Sequence, residues 1–151
     1  MADKSPFLSE AWAAALQEEA QRVLDAEPWS DVASFSYIER FTDAPDPGTP
    51  ANRPGYRLDI VNGRVHVRLG VGERESANAV LVMDHDAAHA TLTVRSGPEM
   101  DELAALAVEE GKLQLLGSFD GMPLDMAALH DAMLDRTLTE VPPGNGFRPV
   151  I

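Results

Sequence analysis

Asn62-Gly63 stands between two runs of alternating polarity, Tyr56-Arg57-Leu58-Asp59-Ile60 and Arg64-Val65-His66-Val67-Arg68-Leu69. No other feature of this 151-residue chain restricts its fold as much. A two-residue hairpin needs positive φ at both central positions, and Asn-Gly adopts that conformation at least cost. The turn also sets the register. Leu58 and Ile60 share one face with Val65 and Val67, while Arg57, Asp59, Arg64, His66 and Arg68 point away from it. A sheet with one apolar face needs a second layer to cover it.

Helices are the candidates for that layer. Trp12, Leu16, Ala20, Val23 and Leu24 recur at helical spacing behind Ser9, a good N-cap, with Glu10 in the first turn and Leu8 placed to staple onto Ala13. Pro28 marks the end of this helix. Pro98 opens another, with Met100, Leu103, Ala104 and Ala107 as its stripe and Gly111 as its left-handed terminator. Pro123 opens a last one, striped by Met122, Met126, Leu129 and Met133. A short helix is predicted over 84–95, against the strand preference of Thr91-Leu92-Thr93-Val94. Further strands are predicted over 35–41, 79–83 and 112–119. In the first, Phe35, Tyr37 and Phe41 share a side and Ile38 breaks the pattern. Pro45, Pro47, Pro50 and Pro54 make 43–54 a loop unfit for a ladder. The expected architecture is one α+β domain over 1–138, in the order helix, three strands, strand, helices, strand, helix. Residues 139–151, rich in Pro and Gly, are expected to form an extended tail.

Charge removes whole classes of function. Lys and Arg number 12 against 25 Asp and Glu, a net charge of −13, which repels phosphate backbones and anionic membrane surfaces. Nucleic acid is therefore not an expected partner. Hydrophobic residues at 44% and charged residues at 25% are the mixture of a globular domain. No apolar run approaches the length of a membrane span. With no cysteine, disulfides, thiol catalysis and thiolate zinc sites are excluded, which fits a reducing cytoplasm. The opening residues lack a basic segment followed by an apolar one, so no secretory signal is expected. With Pro149-Val150-Ile151 last in the sequence, no peroxisomal signal is expected. Two lysines among many arginines, with abundant alanine, match the coding bias of GC-rich bacteria.

The polar residues offer little chemistry. His85 and His89 stand four apart beside Asp84 and Asp86, but no third ligand accompanies them, so no metal or other cofactor is expected. Asp59 and His66 could act as acid and base on neighbouring strands. The same pair is what charge pairing on a solvated sheet face produces. There is no GxSxG, and Gly70-Val71-Gly72 lacks the third glycine and following helix of a phosphate loop. The methionine-rich stripe of the last helix fits either a packed core or a yielding apolar pocket.

Several segments, in order, resemble the bacterial sterol carrier protein 2-like (SCP2-like) domains. They are Pro6-Phe7-Leu8-Ser9-Glu10-Ala11-Trp12, the hairpin Tyr56 to Val65, the strand Asn78-Ala79-Val80-Leu81-Val82-Met83-Asp84, and Glu110-Gly111-Lys112-Leu113-Gln114-Leu115-Leu116-Gly117-Ser118. The resemblance spans 6 to about 134. It implies a mostly antiparallel five-stranded sheet covered on one face by helices, with an apolar tunnel between the layers for acyl chains, sterols or other lipids. Carried over, that tunnel lies between Phe35, Tyr37, Leu58, Ile60, Val65, Val67 and Leu81 on strands and Leu103, Met122, Met126, Leu129 and Met133 on helices. The threonine-rich 87–97, the long Pro-rich loop and the tail depart from the family's pattern. The function implied is non-catalytic binding and carrying of a lipid. A small isomerase or lyase using Asp59 and His66, or an interaction module with a filled pocket, remains the alternative. A carboxylate head group would need an arginine at the mouth to offset the net negative charge.

Overall fold

The computed structural model describes residues 3–28 and 33–138. Its centre is the predicted hairpin. β3 (Arg53–Val61) and β4 (Arg64–Val71) meet at Asn62 and Gly63, whose φ values of 49° and 80° are those a type I′ turn requires. Ile60 lies opposite Val65, Leu58 opposite Val67 and Asp59 opposite His66. β2 (Phe35–Thr42), β5 (Ala79–Asp84) and β6 (Leu113–Gly117) complete a five-stranded sheet in the order β4-β3-β2-β5-β6. β2 and β5 run parallel, and every other neighbouring pair is antiparallel.

Helix α1 (Glu10–Asp25) begins where its cap predicts, with Ser9 Oγ accepting from the Trp12 N–H. It lies over β4, and its glutamines protect that edge. Gln17 and Gln21 side-chain oxygens accept the Val67 and Val65 N–H groups at 2.8 and 2.9 Å, and Gln21 Nε2 donates to the Gly63 carbonyl. Two donors of this edge strand are thereby satisfied without another strand. α2 (His85–Thr91), α3 (Pro98–Glu109) and α4 (Met126–Leu134) make up the rest of the helical layer. α3 ends in a Schellman motif: Gly111 at φ 74° donates to Val108, and Lys112 donates to Ala107. Between the layers, Trp12, Leu16, Ala20 and Leu24 of α1 are buried with Leu129 and Met133 of α4 against Tyr37, Leu58, Ile60 and Val65.

Four local expectations are corrected. Pro54 belongs to β3, at a break in pairing between Arg53 and Tyr56 where a bulge tolerates its missing N–H. The last helix starts at Met126, because the Asp125 carboxylate caps the Ala128 N–H; Met122 lies in the preceding turn, where its N–H donates to the Phe119 carbonyl. The helix expected over 84–95 closes at Thr91, whose hydroxyl turns back to the Ala88 carbonyl. Ile38 is no misfit: with Val71 and Val80 it forms a small apolar cluster on the sheet's outer face.

A two-stranded parallel pair adds to the expected architecture. β1 (Ser5–Pro6) pairs with β7 (Thr137–Leu138). Trp12 Nε1 donates to Thr137 Oγ1 at 2.8 Å, and Arg136 reaches Glu19 at 2.6 Å. Glu19, only 3% exposed, also takes Arg22 at 2.7 Å, so the buried carboxylate is doubly paired. The expected tail from Thr139 lies outside the described residues.

Candidate functional site

Away from the hairpin, the two layers separate around a cavity of about 100 Å³. α1 contributes Trp12 and Leu16, α2 and the turn after it Ala88, Thr91 and Leu92, and α4 Met126, Leu129, His130 and Met133. Phe7 closes one side, packed edge-on to Trp12 at 5.1 Å and against Phe41 at 5.2 Å. The sheet contributes Glu39 and Tyr56.

Glu39 is the unusual member. Alternation along β2 places it on the inward face between Tyr37 and Phe41, and across the ladder it pairs with Tyr56. Its Oε2 accepts two phenolic hydroxyls, Tyr37 at 2.7 Å and Tyr56 in a short contact. Among the described residues Oε1 has no hydrogen-bond partner, and it is open to the cavity. Burial raises the carboxyl's proton affinity above the ordinary value of 4.5, opposed by the two tyrosine hydrogen bonds and by His130. Burial and then the charge of Glu39 push both tyrosine hydroxyls well above their usual range, so they remain donors.

His130 faces the same space from α4. It donates Nε2–H to the Val94 carbonyl at 2.6 Å, since a carbonyl only accepts. The helix bearing it is held by the Asp131 carboxylate, which accepts from the Ser96 N–H and hydroxyl at 2.7 and 2.6 Å. Those bonds hold the Asp131 carboxyl below the usual carboxylate range.

Of the carried-over tunnel residues, Met126, Leu129 and Met133 line the cavity. Phe35, Tyr37, Leu58, Ile60 and Val65 are buried in the adjoining core, and Val67, Leu81 and Met122 are partly buried against it. Leu103 faces a separate groove between α2 and α3. Glu39, Tyr56 and His130 escaped sequence reasoning, although two signals pointed to them. Residue 39 falls on the inward face of an alternating strand, and His130 stands four residues after Met126 on the same helical face.

The histidines and acids singled out in the sequence lie elsewhere. Asp59 is paired with Arg57 at 3.0 Å on the outer face, opposite the exposed His66. His85 and His89 stand beside Phe7, at 5.7 and 6.3 Å between ring centres. Burial, then the charge of His85, lowers the His89 pKa. Among the described residues no group of three or more His, Asp or Glu is arranged to hold a metal ion, and no helix is long and apolar enough to cross a membrane.

No family model matches the chain, and no curated protein matches it. Solved structures do. A conserved hypothetical protein from Thermus thermophilus, described as a possible sterol carrier protein, is 18% identical. The match covers 97% of this chain and 100% of that one, with a TM-score of 0.53. A crystal structure of sterol carrier protein 2 is 22% identical, with coverage of 86% and 97% and a TM-score of 0.51. The mixed five-stranded sheet, its helical cover and these two matches give the chain the SCP2-like fold.

Proposed function

We propose that the protein binds and carries a lipid or another long apolar molecule, whose chain lies between the sheet and helices α1, α2 and α4. One observation carries this reading: an apolar-walled cavity, bounded by Trp12, Leu16, Leu92, Met126, Leu129 and Met133, at the layer boundary of an SCP2-like fold. The solved neighbour named sterol carrier protein 2 supports it. At about 100 Å³ the cavity is smaller than one of ~150 Å³ that admits a benzene. A long chain therefore enters only as the wall yields. Met126 and Met133 suit that task, because an unbranched thioether changes shape at little cost. Each methylene enclosed contributes about 0.8 kcal/mol. The absence of cysteine supports action in a reducing compartment such as the cytoplasm.

The test is direct. Protein purified without detergent is extracted with organic solvent and the extract analysed by mass spectrometry, then reloaded with the recovered species. A single class of long apolar molecule that rebinds with saturation at one per chain is the expected result. An extract matching a buffer blank, with no rebinding, overturns the reading.

One observation favours a second reading. Glu39, with raised proton affinity beside two tyrosine hydroxyls, is an acid/base group in an enclosed site. In that case Glu39, rather than Asp59 with His66, moves the proton. Recovery of the reloaded ligand chemically unchanged separates carrying from catalysis.

A further inference from the structure

The cavity's polar groups are matched to one kind of head group. Among the described residues, every side-chain donor around it is already used. The hydroxyls of Tyr37 and Tyr56 are given to Glu39 Oε2, and Trp12 Nε1–H to Thr137. Thr91 gives its hydroxyl proton to the Ala88 carbonyl, and His130 gives Nε2–H to Val94. No lysine or arginine is among the described lining residues. Glu39 Oε1 stays open as an acceptor, with no hydrogen-bond partner among the described residues. An acceptor stripped of water by an incoming ligand is costly unless the ligand supplies a proton to it.

We propose that this site selects an uncharged head group that donates a hydrogen bond, a hydroxyl such as that of a long-chain alcohol, with Glu39 Oε1 as its acceptor. The inference rests on the lipid-binding reading above and adds the ligand class. A carboxylate head brings acceptors and a negative charge to a place that offers acceptors and a carboxylate. A head without a proton to give, such as an ether, leaves Glu39 Oε1 unpartnered once water is displaced. A hydroxyl gives its proton to Glu39, while its own lone pairs need only the remaining water at the opening.

The experiment, run above the pH window in which Glu39 titrates, displaces an uncharged solvatochromic dye from the protein with three probes of similar length: decanol, methyl nonyl ether and decanoate. We expect decanol to bind at least about fivefold more tightly than the ether, the factor one buried hydrogen bond supports. Decanol should exceed decanoate by at least about tenfold, because an unpaired charge costs more. In Glu39→Gln, which keeps an oxygen for the tyrosines, the margin over decanoate should shrink to about threefold or less. The ether comparison needs no variant, so the proposal can fail even if Glu39→Gln does not fold. Ether or decanoate binding as tightly as decanol to the wild type overturns the head-group assignment while leaving lipid binding in place. A wild-type margin over decanoate that persists in folded Glu39→Gln also overturns it. If no probe displaces the dye and none binds, the lipid-binding reading falls, and this inference falls with it.

Discussion

Glu39 occupies a position that strand alternation assigns to an apolar side chain, between Tyr37 and Phe41. Taking a carboxylate out of water costs several kcal/mol unless hydrogen bonds replace the lost hydration. Tyr37 and Tyr56 replace part of it, and burial still raises the pKa above 4.5. The consequence for stability has a definite sign. The folded protein holds this proton at pH values where the unfolded chain has released it, so the folded state is favoured at low pH. That contribution is lost as pH rises from about 4.5 through the higher folded value. Glu39→Gln cannot titrate. We therefore expect chemical denaturation across this window to show wild-type stability declining with pH relative to the variant. A constant difference between the two proteins at all pH values would contradict the burial of this carboxyl.

At the scale of elements, α1 completes the sheet as well as covering it. Gln17 and Gln21 accept from the β4 edge, and Gln21 also donates to the hairpin carbonyl of Gly63. Gln21→Ala removes two of these bonds and should cost about 1–2 kcal/mol, read as a lower denaturant midpoint with an unchanged slope. A midpoint within experimental error of wild type would mean that water replaces the glutamine without loss. The hairpin is legible in the sequence because Asn62-Gly63 combines a turn requirement with period-two polarity on both sides, and local information suffices. The first helix is legible for the same reason. The glutamine contacts are not, since a polar residue reads as solvent-facing until the element beside it is known. Glu39 is hidden differently: Phe35, Tyr37 and Phe41 define the inward face, and a charged residue between them carries no apolar signal, so Ile38 stands out as the exception instead. Ile38 in fact serves a second apolar cluster on the outer face. The start of α4 is displaced from its expected place because Pro123 is a good first-turn residue, whereas the cap is made by Asp125 two residues on. The pairing of β1 with β7 joins residues more than a hundred positions apart, and no local pattern encodes it.

For the whole molecule, the core and the cavity are parts of one interlayer space. Near the hairpin, Leu58, Ile60 and Val65 are buried with α1; toward Glu39 and Tyr56 the same space stays partly open. The methionines of α4 stand at that opening, where an adaptable side chain has a use that a rigid core would not give it. A net charge of −13 and an arginine-free cavity lining among the described residues point the same way, toward an uncharged cargo. On the proposed function, this space exists to be filled by a ligand. Met126→Trp tests it most directly, by dye-displacement titration and thermal unfolding on wild type and variant. We expect saturable binding of one long apolar molecule per wild-type chain, abolished in Met126→Trp with the unfolding midpoint little changed, because the indole fills space already empty. Absence of saturable binding to the wild type, together with a loss of about 1–3 kcal/mol in the variant from overpacking, would contradict the claim and make the stripe a core.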